Sequence, residues 1–302
     1  MSRRGWILFA AMGLIWGLPY LLIKEAVESI SPAGVVAGRT LGAALILLPI
    51  AAWRGAIRPA LAKWPWVLAF AAVELCGPFM LLSHAEQTLP SGLTGLLVST
   101  VPLVATVIAF TRGDRSAMRA GRLAGLAIGI GGVALVVGGG GDGSVTAVAV
   151  AEVLLTAVLY AIAPFIVATR LNDVPALGSS AVSLTAAGLI YLPIALVTQD
   201  GDPTGRSVAA LAVLAVLCTA LAFVLFFALI GEIGPARAPL ITYVNPVVAL
   251  ALGVAILDEQ LTLPMLAGIP LILAGCYLAT NRGSAEPRDI VPEPLPAGVL
   301  AD

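Results

Sequence analysis

Three charged side chains lie inside long apolar stretches of the sequence and are the first candidates for chemistry. Arg39, Glu74 and Glu152 are flanked by apolar residues on both sides along the chain. A full charge at the centre of a bilayer costs about 2.5 to 3.5 kcal/mol on insertion scales, so each should face a water-filled cavity or a partner. A carboxyl group there can take up a proton or bind an ammonium group, and a guanidinium can bind a carboxylate or a phosphate. The alternative is a structural ion pair between Arg39 and one of the two carboxylates.

A second group of candidates is aromatic or amidic. Trp16 and Tyr160 lie too deep in their apolar stretches for the interfacial belt in which Trp and Tyr are enriched. Such side chains can stack on a ligand or hydrogen-bond it, and ordinary packing is the alternative. The candidate substrate-binding residues are therefore Trp16, Tyr20, Arg39, Glu74, Glu152, Tyr160, Tyr243 and Asn245.

Two prolines predict irregular helices near these residues. Proline removes a backbone donor and leaves a carbonyl without its helical partner, so Pro102 and Pro246 predict kinked or broken helices. A break would supply polar backbone groups to a cavity, which is tolerated at membrane depth only where such groups are not exposed to lipid. We expect both prolines to be structural hinges. A kink that merely fits the neighbouring helices remains the alternative.

The elements that position these residues are membrane-spanning helices. The 302 residues are 60% hydrophobic and 11% charged, whereas soluble domains are about half apolar and a quarter charged. A bilayer core needs roughly 17 to 25 apolar residues of helix, and the links between such stretches are too short for a soluble domain. The predicted spans are residues 6–23, 33–53, 64–83, 92–111, 123–139, 145–169, 176–198, 208–230, 238–257 and 263–280.

The distribution of cations predicts the orientation. Lys and Arg in short links stay on the cytoplasmic side. With the N terminus inside, every cation outside the spans except Lys24 and Arg206 is cytoplasmic. We therefore predict a multi-pass protein of the plasma (inner) membrane with both termini in the cytoplasm, and the proline-rich residues 281–302 are expected to form a disordered cytoplasmic tail.

The second half of the sequence repeats the pattern of the first at an offset of 144 residues. Trp16 matches Tyr160, and Pro102 matches Pro246. Each half contains five spans, and because five is odd the second copy would enter the membrane from the opposite side. The predicted fold is an all-α integral membrane protein with ten transmembrane helices as two inverted five-helix repeats. Such symmetry allows two conformations of similar energy, which alternating access requires.

The division of the chain follows from this offset. Residues 1–140 form the first predicted repeat, residues 141–280 the second, and residues 281–302 the tail. Several short motifs occur in a fixed order along the two repeats: Trp16-Gly17, Pro102, Gly125, Pro246, Asp258-Glu259 and Gly268. Their order and duplication resemble the ten-span EamA-like branch of the drug/metabolite transporter superfamily.

The resemblance implies secondary transport of a small polar or amphipathic metabolite such as an amino acid. Export is the implied direction, by rocking of the two repeats around a midplane site. Desolvation favours the neutral form of a lone carboxyl at that depth, so Glu74 is the candidate proton carrier. One departure concerns a glutamate that the family often places after the span-4 proline, where this sequence has Arg115 while Glu259 occupies the matching place in the second half. We interpret this glutamate as a helix-end feature.

Other classes of protein find little support in the sequence. The single histidine has no paired histidine or serine motif, the three cysteines have no metal-ligand spacing, and no phosphate-binding loop occurs. We expect no catalytic residue, no metal and no cofactor, and the net charge of −1 argues against a nucleic-acid partner. The expected partners are a small-molecule substrate, the lipid bilayer and protons, with the chain as a monomer or homodimer. A membrane-embedded enzyme and a non-transporting scaffold or sensor remain the alternatives.

Overall fold

The computed structural model describes residues 2–113, 119–139, 145–234 and 238–280, without the side chains of Ala238 and Pro239. Within these ranges, ten helices are long and apolar enough to cross a membrane, which confirms the predicted all-α fold of ten spans. Arg115 and the predicted tail at 281–302 lie outside the described residues. Spans 1 to 10 are Arg3–Ala26, Pro32–Trp53, Trp64–Ala85, Ser91–Thr111, Ala120–Gly138, Ala147–Arg170, Ala176–Thr198, Gly205–Ile233, Leu240–Leu257 and Leu263–Thr280.

Three of the spans are interrupted. The two prolines lie in the first turn of the helix that follows an interruption, where a missing N–H has no intrahelical partner to lose. They therefore start half-helices and do not kink a continuous one. The helices on either side of the interruptions are Arg3–Ile15 and Leu18–Ala26 in span 1, Ser91–Val98 and Val101–Thr111 in span 4, and the 3₁₀ segment Ala238–Tyr243 with Asn245–Leu257 in span 9.

Spans 3 and 8 each contain a π-helical segment. Ala72–Cys76 separates Trp64–Ala71 from Gly77–Ala85, and Val216–Leu221 separates Gly205–Ala215 from Ala222–Ile233. The two segments begin 144 residues apart, at the repeat offset found in the sequence. π-Segments inside α-helices are rare and occur frequently at functional sites, so the residues of these two segments are further candidates for a functional role.

The pairs of spans that pack on each other follow the duplication of the chain: renumbering spans 1–5 as 6–10, and 6–10 as 1–5, gives the same set of pairs. Span 2 packs on span 7, span 4 on span 9 and span 5 on span 10. Each of these pairs joins a span of the first half to its equivalent in the second half. Span 1 packs on span 8 and span 3 packs on span 6, and exchanging the halves converts one of these pairs into the other. The contacts of one half with the other are therefore more extensive than those within either half.

Spans 5 and 10 are antiparallel and approach closely through glycine. A Cβ atom added at Gly125 would lie 2.5 Å from the backbone nitrogen of Ala279, and one added at Gly132 would lie 2.9 Å from Cγ1 of Ile272. Residue numbers rise along one span while they fall along the other, so the two spans run in opposite directions. Small residues allow helices to approach this closely where no hydrophobic force drives their association.

Candidate functional site

Four of the predicted site residues lie near one another in the interior. Tyr20 and Arg39 are buried, with 8% and 6% of their surface exposed. Arg39 lies within electrostatic range of Tyr20 and Tyr160, and Tyr160 lies within range of Glu74. We call these four residues the central cluster. They come from spans 1, 2, 3 and 6, so both halves of the chain contribute to it.

Arg39 has neutral partners in the structure. Its Nε donates a hydrogen bond of 2.8 Å to Oγ1 of Thr219, and its guanidinium lies 3.9 Å from the ring centroid of Phe79. Among the described residues it forms no ion pair with Glu74 or Glu152, so the structural ion pair that the sequence left open as an alternative is not formed. The aromatic face attracts the cation electrostatically, and the hydroxyl group satisfies one donor. The guanidinium charge is therefore held in the interior without a carboxylate of the described residues in direct contact with it.

Glu74 is the carboxyl group of the central cluster. It lies in the π-helical segment of span 3 and is partly buried. Within the part of the chain that the structure describes, its side chain has no hydrogen bond. The backbone of the same segment accepts a hydrogen bond from a distant span: the Tyr191 hydroxyl donates to the carbonyl oxygen of Cys76 at 3.0 Å. A carboxyl group without a fixed partner is available to a proton or to a cationic group of a ligand.

Glu152 lies outside the central cluster and pairs with a histidine. Its Oε1 lies 2.8 Å from Nδ1 of His84, which joins span 6 to the end of span 3. The side chain of Glu152 is 18% exposed and that of His84 is 52% exposed. The structure therefore ties Glu152 to a half-exposed histidine and does not place it against Arg39.

The interruptions of spans 1 and 9 meet at the amide of Asn245. In the orientation that satisfies both ends of the amide, its nitrogen donates to the carbonyl oxygens of Ile241 at 3.0 Å and Gly13 at 3.3 Å. Trp16 packs on Phe226 of span 8, with ring centroids 4.7 Å apart, in a hydrophobic cluster separate from that of Tyr20. Asn245 thus adds a second donor to two carbonyl oxygens that already accept backbone hydrogen bonds, from Gly17 and Val244, and its amide links span 9 to span 1.

A cavity of about 470 Å³ lies between spans 4, 5, 6 and 10. Arg112 lies 4.6 Å from the ring centroid of Phe165, and Nε of Arg122 donates to the carbonyl oxygen of Ala279 at 2.7 Å. Tyr243 approaches this cavity, because its hydroxyl lies 2.9 Å from that of Thr280. Pro102 is the one predicted site residue in its lining, which comprises Pro102, Ala105, Thr106, Ala109, Arg112, Arg122, Phe165 and Thr280.

Two buried acidic residues escaped the sequence analysis, and of these Glu25 pairs with Arg206. Glu86 is 0% exposed, and neither oxygen of its carboxyl group has a hydrogen-bond partner among the described residues. It follows span 3 directly, and a charge at the end of an apolar stretch is ordinarily solvated in a link. Burial of this link by spans from other parts of the chain is a tertiary effect, for which the sequence carries no local signal.

The comparisons with known proteins agree with this architecture. The sequence model of the EamA-like transporter family matches residues 3–138 and again residues 148–281. The chain belongs to the EamA-like transporter family. Its suspected resemblance to that family is thereby confirmed, and the chain is a multi-pass membrane transporter.

Relatives of this EamA-like transporter come from several organisms. It is 28% identical over 259 residues to the uncharacterized inner membrane transporter YedA of Escherichia coli K12, which covers 83% of this chain and 82% of the relative. It is 26% identical over 284 residues to the uncharacterized transporter YvbV of Bacillus subtilis, with 93% and 92% covered. A solved crystal structure of a protein shares the fold with a TM-score of 0.65, at 19% identity over 93% of this chain and 97% of that one.

Proposed function

We propose that this EamA-like transporter is a secondary exporter of small zwitterionic or amphipathic metabolites of the amino-acid class. The observation that carries the proposal is the central cluster, in which a buried guanidinium without a carboxylate partner and a carboxyl group without a hydrogen bond both lie near Tyr160. Arg39 suits the carboxylate of an amino acid and Glu74 suits its ammonium group or a proton. The hydroxyl groups of Tyr20 and Tyr160 supply hydrogen bonds between them.

The proposed mechanism is alternating access by two inverted five-helix repeats, residues 1–140 and 141–280. The antiparallel packing of spans 5 and 10, which are equivalent in the two halves, supports this arrangement. The interrupted spans 4 and 9 support hinges at Pro102 and Pro246. Both termini are cytoplasmic in this proposal, and a proton on Glu74 couples substrate movement to the pH gradient.

The test is a flux screen in proteoliposomes. Amino acids, nucleosides, sugars and cationic drugs are each loaded, and their efflux is followed with and without a pH gradient. We expect efflux of an amino acid that a pH gradient accelerates and that Arg39→Gln reduces. Glu28→Gln is the matched control, because Glu28 is exposed in the turn after span 1 and is not among the groups that act on Arg39 or Tyr160. Efflux confined to cationic drugs, or none across the panel, would contradict the proposed substrate class.

A further inference from the structure

The link between spans 3 and 4 is held from two sides by residues of opposite charge. Lys24 of span 1 donates from Nζ to the carbonyl oxygens of Glu86 at 2.8 Å and Leu89 at 3.0 Å. Glu259, which follows span 9, accepts from the backbone nitrogens of Ser91 at 2.6 Å and Gly92 at 3.0 Å. A cation at the carbonyl end of one helix and an anion at the amide end of the next each complement the partial charge there. We call these four hydrogen bonds the link clamp.

The side chain of Glu86 lies between the link clamp and the central cluster. It is within electrostatic range of Lys24 and Glu259 on one side and of Arg39 and Tyr20 on the other. Glu28 acts on Lys24 from the same end of the molecule, and His84, two residues before Glu86, faces Glu152 of span 6. Among the described residues, the charged or titratable groups that face the Glu86 carboxyl group are thus Lys24, Glu259, Arg39 and Tyr20.

Burial without a partner favours the neutral form of this carboxyl group. An ionised carboxylate removed from water costs several kcal/mol unless it is paired and hydrogen-bonded. Burial raises the pKa of Glu86 well above its usual range, with Lys24 opposing that shift and Glu259 adding to it. In the arrangement seen here Lys24 is engaged with two carbonyl oxygens, so its ammonium group does not pair with the Glu86 carboxyl group.

We propose that Glu86 is a proton-binding site whose proton keeps this end of the transporter closed. While Glu86 is protonated, Lys24 stays on the carbonyl oxygens of the link and the clamp holds spans 1, 3, 4 and 9 together. When the proton leaves to water, the carboxylate attracts the Lys24 ammonium group into an ion pair, the link loses two hydrogen bonds, and the end opens. The inference rests on the proposed alternating access, which places this end outside.

The experiment measures opening directly and needs no substrate. The full chain, with Cys76, Cys218 and Cys276 replaced, carries Thr94→Cys, a fully buried position in the half-helix that begins at Ser91. Labelling by a membrane-impermeant maleimide in proteoliposomes is followed against external pH. The rate is divided by that of Thr88→Cys, an exposed position in the same link. This normalisation removes the part of the pH dependence that comes from ionisation of the thiol itself.

A one-proton gate gives a defined result. The normalised labelling rate should rise with pH by about tenfold per unit, as expected for an equilibrium linked to release of one proton. Glu86→Gln should label slowly at every pH. Asp200→Asn should follow the parent protein, because it removes an exposed carboxylate that acts on neither Lys24 nor Glu86. A flat profile in the parent, or an unchanged profile in Glu86→Gln, would overturn the proposal.

A second variant covers the event that Glu86→Gln does not fold. Glu86→Asp retains a carboxyl group, and its infrared band for the protonated acid should shift from the glutamic to the aspartic position and disappear as pH rises. Absence of any titrating band that shifts in this variant would also overturn the proposal. If labelling follows Glu86 while the flux screen is negative, the proposed transport fails and the proton site stands. If the screen succeeds and labelling is flat, the outcome is reversed.

Discussion

Spans 3 and 8 have the same backbone and different chemistry. Each contains a π-helical segment, at Ala72–Cys76 in one and Val216–Leu221 in the other. In span 3 the segment carries Glu74 and its last carbonyl group is satisfied by a distant residue, since the Tyr191 hydroxyl donates to Cys76. In span 8 the Thr219 hydroxyl donates to the Leu214 carbonyl oxygen of its own helix.

The difference shows how a duplicated fold acquires an asymmetric site. A π turn widens the helix and leaves backbone groups that need other partners. One copy supplies a carboxyl group to the central cluster, while the other holds the Arg39 guanidinium through Thr219. The position equivalent to Glu74 is Cys218. The two repeats therefore preserve the irregular backbone with a division of roles, in which the segment of span 3 carries the acidic group and the segment of span 8 supplies the acceptor for Arg39 of span 2.

Removing the acidic group should have the largest effect on transport. Glu74→Gln keeps the shape of the side chain and cannot release or accept the coupling proton, so pH-gradient-driven flux in proteoliposomes should be abolished. Cys218→Ala, at the equivalent position of span 8, should leave the pH dependence intact. Equal losses in the two variants would show that both segments matter only for packing and would end the proposed division of roles.

Removing the partner of the basic group should cost stability. Thr219→Val deprives Nε of Arg39 of its acceptor, and hydrogen bonds to charged groups contribute about 1.5 to 3 kcal/mol. The free energy of unfolding in detergent should fall by about that amount. The matched control is Thr156→Val, because Thr156 is also fully buried and bonds only to the backbone of Glu152. Destabilisation no greater than in the control would indicate that Thr219 acts only on its own helix.

Removing the hydrogen bond from span 7 to the π segment of span 3 should lower the free energy of unfolding by less. Tyr191→Phe leaves the carbonyl oxygen of Cys76 without its donor, and a neutral hydrogen bond contributes about 1 kcal/mol. We expect a decrease of about that size in the free energy of unfolding. Tyr277→Phe serves as the control, since the Tyr277 side chain is exposed. No decrease relative to Tyr277→Phe would mean that the segment does not depend on span 7.

Removing the ion pair at the start of span 3 should have the smallest effect on stability, and only at acidic pH. Lys63 pairs with Asp173, and its hydrogen bond holds the pKa of Asp173 below the usual range. The pair therefore stabilises the protein above the unfolded-state pKa of an aspartate, and this contribution is lost as pH falls through the lower folded-state value. Asp173→Asn should flatten the acid side of the pH–melting curve slightly. The residues equivalent to Lys63 and Asp173 are Ser207 and Ser29, so this pair has no counterpart at the matching positions of span 8, where Arg206 pairs with Glu25 instead.

The sequence predicted the positions of the helices better than the contacts between their side chains. Ten apolar stretches became ten spans, although their ends moved: span 1 runs from Arg3 to Ala26 and includes charged residues at which an apolar search stops. The prolines at 102 and 246 indicated where two spans would be irregular. The π segments had no signal of their own, because their residues are as apolar as their neighbours apart from Glu74.

The partners of the charged residues could not be read from the chain. The sequence left open an ion pair of Arg39 with Glu74 or Glu152, whereas in the structure its guanidinium contacts Thr219 and Phe79. These contacts join residues that are far apart in sequence, so no spacing rule applies to them. Glu86 illustrates the same limit, because only the approach of other segments buries it.

By itself, the sequence determined the number of crossings, the duplication and the family, since the length of an apolar stretch set against the thickness of a bilayer is a local property. The tertiary structure alone decided which charge meets which neighbour. A helix presents a new face at every residue, and small residues set how closely two spans approach. Whether a charged group meets a hydroxyl, an aromatic ring, another charge or nothing therefore depends on how distant helices pack around it.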